Sequence, residues 1–531
     1  MSSTLYTSIS PEKPPLLDAV QKITLALGSL GLLLMLISWA GVSLPSKGIL
    51  FYSSLGLIFF GVVAYSWRTY MIQPAGIKNN GNFFSSISHR GVMAWISAIL
   101  ITGFYVVLYL KAEYLGLGDT ENSGLVAFFD PLSQLMHGKK ASQWFVYGVL
   151  YTLAIVAFGV KFIFKYRHNR YEIIRTISVM FFQLFFAFLI PEILEMLHPE
   201  TATNYFGKDM KNMWPLDYDF FDSWHIQNLS KGGLLGSFFL IMGLLMIFVI
   251  SPILTYKFGK RWYCSFVCGC GGLAETAGDP FRHLSDKSMK AWKIERWMIH
   301  TVLLFSFVMT IAIIYGYLGN EPDKYLLSRS TFTWLALIGL LGLSAVYFLL
   351  QTKNVEDGSK NSKYIISGVV VLAALILLFN FLAGSGNAYF LQNYGFRQAY
   401  GLWVGAVFSG IIGVGFYPIM GSRVWCRFGC PMAALLGIQQ KLLSKFRITT
   451  NGSQCISCGN CSTYCEMGID VRAYAQKGQN IVRASCVGCG VCSAVCPRGV
   501  LKLENGSSDI FCKTAEHKAI HITEDQVRML S

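Results

Sequence analysis

The sequence predicts an all-α polytopic membrane protein of about ten transmembrane helices, followed at the C-terminus by a small cytoplasmic α+β domain. Three observations predict it. Hydrophobic residues make up 53% of the chain and charged residues only 14%, outside the range of soluble proteins of this length. Apolar runs of roughly 20 residues, the length that crosses about 30 Å of hydrocarbon, recur along the first four-fifths of the chain. Beyond residue 448 the hydropathy collapses and cysteines recur at fixed short intervals.

Taken in order, the N-terminal stretch 1–20 is polar, contains proline and lacks a basic n-region, and the apolar run after it is too long for a signal segment. It is expected to be an uncleaved cytoplasmic tail. Spans are expected near 21–43, 48–67, 91–110, 144–165, 174–197, 233–255, 297–318, 332–351, 364–383 and 402–420. Basic residues gather in alternate loops: Arg68, Lys78 and Arg90, then Lys165, Arg167, Arg170 and Arg175, then Lys257, Lys260, Arg261, Arg282, Lys287, Lys290, Lys293 and Arg296. The intervening segments 111–142 and 198–232 are acidic, so both termini are expected in the cytoplasm of a bacterial cell, with the chain threading the inner membrane. The formal charge of +15 follows from that topology and does not call for a nucleic-acid partner.

The C-terminal cysteines form two copies of C-x-x-C-x-x-C-x-x-x-C, CISCGNCSTYC at 455–465 and CVGCGVCSAVC at 486–496. This spacing gives three thiolates to one cubane and the fourth to its neighbour. Cys455, Cys458, Cys461 and Cys496 are therefore expected to hold one [4Fe-4S] cluster, and Cys486, Cys489, Cys492 and Cys465 the other. Gly459, Gly488 and Gly490 would let backbone amides approach the sulfides. Structural zinc takes pairs of ligands rather than paired quartets, and disulfides are disfavoured in a reducing compartment. Glu466 stands where the second copy has Pro497.

A second repeat lies at the inner ends of two spans. FGKRWYCSFVC at 258–268 and MGSRVWCRFGC at 420–430 share G-x-R-x-aromatic-C-x-F-x-C, each shortly after a proline, Pro252 or Pro418. Four expected spans separate the copies, so they lie on one side of the membrane. A parallel repeat about an axis along the membrane normal would bring Cys264, Cys268, Cys426 and Cys430 to one point. The i, i+4 spacing would set each pair on one helical face and favours a metal without naming it. The alternative is a set of buried core cysteines. Arg261 and Arg423 would either offset thiolate charge or snorkel at the interface. Cys270, beside Gly269 where the second copy has Pro431, is a further metal ligand or a bystander, as is Cys512.

On these motifs the chain resembles the NapH/NosR/CcoG-type membrane polyferredoxins over residues 233–500, with Pro431 after the second pair as in that family and a departure at Gly269–Cys270. The resemblance implies electron transfer between membrane quinol and an iron-sulfur or periplasmic partner, with cytoplasmic or membrane redox subunits as partners. It also leaves open a metal-reducing assembly factor or a redox sensor. The Ser/Thr-Gly-Ala-Thr segment that carries covalent flavin in NosR-like proteins is missing, and Cys-x-x-Cys-His is absent, so neither covalent FMN nor c-type haem is expected.

The remaining functional signal is FLIPEILEMLHPE at 188–200, where Glu192, Glu195 and His198 recur near the outer end of the fifth span. Ionisable groups at membrane depth are costly, and a carboxylate with a histidine would accept the protons that quinol oxidation releases. Glu192, next to Pro191, is the expected buried member. Asp217, Asp219, Asp222 and His225 in the following loop read as an acidic loop at a wet interface. The expected organisation is thus a tail at 1–20, a membrane region at 21–232, a repeat-bearing membrane region at 233–448, a dicluster domain at 449–500 and a tail at 501–531.

Overall fold

The computed structural model describes residues 17–42, 46–72, 90–197, 210–325, 327–352, 360–506, 520–523 and 526–529. Among them, eight helices are long and apolar enough to cross a membrane. They are α1 (Ala19–Trp39), α2 (Lys47–Tyr70), α3 (Val92–Leu110), α5 (Gln143–Lys165), α6 (Arg170–Leu197), α7 (Gly233–Phe258), α9 (Met289–Asn320) and the Tyr364–Leu382 stretch of α11 (Lys360–Leu382). Two further expected spans are also helical. Arg329–Thr352 forms α10, and Asn393–Tyr400 runs into the π-helical Gly401–Ile412 to form α12. The last of these ends at Ile412 rather than at 420, because Gly413–Phe416 interrupts it before the short helix Tyr417–Met420.

Local chemistry fixes the starts of these helices. Asp18 and Gln21 make a reciprocal capping box on α1. Ser142, Asn169 and Ser288 accept from the first free amides of α5, α6 and α9. Large apolar side chains such as Leu234, Phe238, Ile241, Phe248 and Ile253 of α7 lie exposed on the protein's outer face, as lipid-facing residues do. Helix α5 is the most enclosed span and packs against α2, α6 and the short α8 (Gly269–Thr276). Between α3 and α5 the amphipathic α4 (Gly124–His137) packs on α1, α2 and the end of α6.

The C-terminal domain starts after α13 (Pro431–Leu443). Strand β1 (Phe446–Thr450) pairs antiparallel with β2 (Leu501–Asn505), in the register Phe446↔Asn505 to Thr450↔Leu501. The expected end at residue 500 is therefore early: β2 closes the domain and belongs to it rather than to a tail. Two one-turn helices, α14 (Asn460–Thr463) and α16 (Val491–Ala494), follow the two cysteine loops, with α15 (Val471–Gln476) between them. A separate hairpin joins β3 (Ile520–Thr523) to β4 (Gln526–Met529).

This domain is welded to the membrane region. Phe162 and Tyr166 of α5 share a buried cluster with Tyr464, Val491 and Val495. Lys445 donates to the carbonyl of Tyr256 at 2.8 Å, and the Tyr171 hydroxyl donates to the carbonyl of Gly488 at 2.7 Å. The Arg261 guanidinium lies 4.5 Å from the Phe446 ring centre and also covers Tyr171, so Arg261 packs the joint instead of snorkelling.

The repeat's glycine has a structural reason that both copies share. Gly259 (φ 68, ψ 179) and Gly421 (φ 98, ψ 171) turn the chain at the same point, in a conformation that is essentially confined to glycine. A Cβ on Gly421 would also sit 2.4 Å from Ser285 Oγ. Gly421→Ala is expected to destabilise the fold by about 1–3 kcal/mol from backbone strain alone. Gly339→Ala, in α10 with open space around it, is expected to keep or slightly raise the unfolding midpoint, since Ala favours a helix over Gly. Thermal unfolding of the detergent-solubilised protein, followed by tryptophan fluorescence, checks both.

Candidate iron-sulfur and membrane cysteine sites

In the C-terminal domain Gly459 (φ 79) and Gly490 (φ 89) are the left-handed residues that start α14 and α16 and swing each loop around its cysteines. Cys455, Cys458, Cys461 and Cys496 line one pocket together with Ile456 and Arg498. Burial, joined by the neighbouring Cys496, Cys458 and Cys455, pushes the Cys461 thiol up to about 11. Cys492 is pushed up by burial and by Cys489, Cys486 and Cys465. The structure places Cys496 near Cys455, Cys458 and Cys461, and Cys465 near Cys486, Cys489 and Cys492, so each motif lends one cysteine to the neighbourhood of the other. The two differ in depth. Cys458 is exposed, whereas Cys486 and Cys492 are buried against the membrane region. We call them the outer and inner quartets.

The membrane repeat departs from the expected single helical face. Cys264 closes the helical turn Arg261–Cys264, and Cys268 is an extended residue (φ −67, ψ 123) that starts α8. Cys426 lies in the π-turn Trp425–Gly429, and Cys430 (φ −84, ψ 112) starts α13. In both copies the amide of the second cysteine bonds back five residues to the carbonyl of the repeat's aromatic residue, Tyr263 or Trp425, at 2.8 and 2.9 Å. A tight turn, not a helix face, therefore presents each pair, because the chain must leave one helix and enter the next between the two sulfurs.

The four cysteines converge. All are buried and free of disulfides, and Cys430 lies in the field of Cys426, Cys268 and Cys264. Burial pushes Cys264 up to about 12 and raises Cys426 and Cys430 as well. At Cys268 a hydrogen bond with the Cys270 thiol outweighs burial and pulls the thiol down. Four clustered sulfurs away from water fit a thiophilic metal or iron-sulfur group, which would displace the protons that burial holds in place. Cys270 stands beside the set through that bond. The missing proline of the first copy also has a cause: a Cβ on Gly269 would meet Gln183 Oε1 at 2.5 Å, and one on Gly272 would meet Val179 Cγ1 at 2.1 Å. Helix α6 presses on this end of α8 and leaves no room for a proline ring, whereas Pro431 opens α13 freely.

Arg423 is buried in the protein interior and does not reach its surface. It is 1% exposed and donates to the Cys264 carbonyl at 3.2 Å and to Glu466 Oε1 at 2.9 Å, and it lies 3.7 Å from Cys426 Sγ. It also pairs with Glu275, as does Arg175, which in turn pairs with Glu172. Arg282 bridges Glu466 and Asp279, each at 3.0 Å, and Asp279 holds Lys165 at 2.7 Å and Lys161 at 3.6 Å. Burial acts to raise both carboxyls, but Arg282 and Arg423 hold Glu466 below the usual carboxylate range, and Lys165, Lys161 and Arg282 do the same for Asp279. In the sequence Glu466 is one residue of a cysteine loop. Its one signal was the charged residue standing where the other motif has proline.

At the far end of α6, Glu192 pairs with His137 of α4 (Nδ1–Oε2, 2.9 Å), and Ser133 lies 3.0 Å from the other ring nitrogen. Burial holds the His137 imidazole below its usual value. Glu195 pairs with Lys139 at 3.0 Å near the surface, and His198 lies outside the described residues, as do Glu200, Asp209 and Cys512. His137 was missed because it is 55 positions from Glu192 in the chain. In the acidic loop, Arg397 pairs with Asp219 and Asp222, and Trp224 donates to Asp222 at 3.0 Å, so these carboxylates anchor the loop to α12.

Comparison with known proteins finds iron-sulfur families over the same segments. Residues 447–497 match the family described as "4Fe-4S dicluster domain", and residues 240–288 and 401–449, one around each membrane pair, match the family described as "4Fe-4S binding domain". The chain thus carries a C-terminal 4Fe-4S dicluster domain below a largely helical region with the span lengths of a multi-pass membrane protein. One curated relative is "Putative electron transport protein YccM" of Escherichia coli (strain K12), 45% identical over 49 residues. The match covers 9% of this chain and 13% of that protein. No solved structure matches.

The crossed quartets give a direct test. Cys496→Ser, although in the second motif, is expected to remove the same cluster as Cys455→Ser, and Cys465→Ser the same cluster as Cys486→Ser. Electron paramagnetic resonance of the four reduced variants would show two matching pairs of spectra.

Proposed function

We propose that this is a multi-pass iron-sulfur electron-transfer protein of a bacterial cytoplasmic membrane, with both termini in the cytoplasm. It would exchange electrons between the quinone pool and a soluble or membrane redox protein. The observation that carries the reading is the continuity of the buried block. Cys264, Cys268, Cys426 and Cys430 share one packed core with Cys461, Cys486 and Cys492, and Cys455, Cys465, Cys489 and Cys496 pack on its edge. The membrane turn touches the inner quartet directly, through the Ser265 hydroxyl donating to the Val487 carbonyl at 2.9 Å. On this reading Cys264, Cys268, Cys426 and Cys430 ligate a membrane centre, with Cys270 beside it. The inner and outer quartets follow in line toward solvent.

When bound, such clusters take up and release single electrons at potentials set by charge, hydrogen bonding and solvent exposure. The chain's own residues supply those conditions. Gln440 donates to the carbonyls of Arg483 and Cys486 at 2.9 and 2.8 Å and holds the inner loop in place. The pocket at Cys458 is the open end, where a partner would approach. Glu192 and His137 accept the protons that leave quinol as it is oxidised. From Glu172 to Glu192, α6 runs roughly 30 Å at 1.5 Å per residue, so protons leave at the end of the helix opposite the dicluster domain. The contiguous rings of Trp144, Tyr147 and Tyr151 on α5 fill part of that interval, at centroid separations of 6.4 and 5.2 Å.

Iron and acid-labile sulfide per chain test the membrane centre. Roughly twelve irons are expected in anaerobically purified protein and roughly eight in Cys264→Ser, whereas roughly eight in both would defeat the membrane centre. The quinol site is tested separately. Glu192→Gln and His137→Ala are each expected to slow cluster reduction by a quinol analogue by about 100-fold, the scale of a lost proton acceptor. Reduction by dithionite should be unchanged.

A further inference from the structure

We propose that Arg423 is the electrostatic link between the membrane cysteine site and the inner quartet, and that Glu466 sets its strength. This rests on the reading of Cys264, Cys268, Cys426 and Cys430 as a redox metal centre. A single guanidinium touches the membrane site on one side and, on the other, two carboxylates that lie beside the inner quartet. On the membrane side it donates to the Cys264 carbonyl at 3.2 Å and lies 3.7 Å from Cys426 Sγ. On the other side it donates to Glu466 at 2.9 Å, the residue that directly follows Cys465. Glu466 and Glu275 each bring a carboxylate oxygen within 4.8 Å of Cys489 Sγ, and both pair with Arg423.

Nothing in this arrangement is screened by water, because Arg423 and Glu466 are 1% and 0% exposed. Charges in such surroundings act on one another far more strongly than at a surface. The planar guanidinium is needed, because only a fork with several donors satisfies a carbonyl, two carboxylates and a sulfur at once. The ion-paired lattice to which Arg423 belongs has five cations, Lys161, Lys165, Arg175, Arg282 and Arg423, against four carboxylates, Glu172, Glu275, Asp279 and Glu466, and the buried Lys260 and Lys211 add further positive charge near Cys264 and Cys268. The cationic excess is placed where sulfur-ligated iron adds negative charge, and each electron taken up adds more. Arg423 is thus a positioning residue that favours the reduced state of both neighbouring centres, and Glu466 moderates it.

The test uses the full-length protein in detergent under anaerobic conditions, with iron counted and each centre titrated by electron paramagnetic resonance. Arg423→Gln is expected to lower the potentials of the membrane centre and the inner cluster and to leave the outer cluster in place. Glu466→Gln is expected to raise the inner cluster's potential, and Arg423→Lys, which keeps the charge, to move both near centres less than Arg423→Gln does. Unmoved potentials in Arg423→Gln at full iron content, or equal movement of all three centres, would overturn the link. If Arg423→Gln loses iron, Glu466→Gln decides, and an unmoved inner cluster in it overturns the proposal. Failure of the underlying reading looks different: the unsubstituted protein would hold roughly eight irons, whatever the variants do.

Discussion

Five cations and four carboxylates lie out of water where α5, α6, α8 and the dicluster domain meet, and the placement of every cysteine set depends on that lattice. Taking so many ions from water is expensive, several kcal/mol for each, and their mutual attraction repays this only with near-complete pairing. The net contribution to stability is therefore small, while the penalty for a wrong register is large. A dicluster domain shifted along the membrane face would strand Glu466 among apolar residues and leave Arg282 and Arg423 without their shared acceptor. The lattice thus acts as a key. It admits one docking geometry, and in that geometry the inner cysteine loop lies against the membrane turn.

The two copies of the membrane repeat show how duplication and context divide the work. Both use a glycine beyond the reach of other residues' backbones, an aromatic residue whose carbonyl closes the turn, and a second cysteine that opens the next helix. They diverge where neighbours differ. The first copy is crowded by α6 and takes glycines at the start of α8, whereas the second has room for proline at the start of α13. The arginines diverge too. Arg261 packs against rings at the edge of the domain joint, while Arg423 is drawn into the centre of the lattice by Glu275 and Glu466.

The amino-terminal helices, which lie outside the segments that match the two iron-sulfur families, gain a role from the same geometry. α5 delivers Lys161 and Lys165, α6 delivers Glu172 and Arg175, and Phe162 and Tyr166 pack on the dicluster domain. At their other end the same helices hold Glu192 against His137. They form a frame that ties the cysteine sites at one end of the bundle to an ionisable pair at the other.

Spacing and hydropathy determined the linear features of this protein. The eight ferredoxin cysteines, the duplicated Cys-x-x-x-Cys turns and most of the long apolar helices were legible because each is a pattern within a few dozen consecutive residues. Residue spacing survives in such a pattern even when geometry does not, so both cysteine repeats stand out in the sequence while the turns that carry the membrane pairs do not. Tertiary structure alone decided what lies between the motifs. Glu466 reads as a small departure from a loop motif and becomes the centre of an ionic lattice, since its partners come from positions 282 and 423. His137 and Glu192 meet only because α4 folds back on α6. Strand β2 is assigned to the domain only by pairing with β1 across some fifty residues. Charge pairing and strand pairing act through space between residues far apart in the chain, and local composition carries no record of which distant group will arrive.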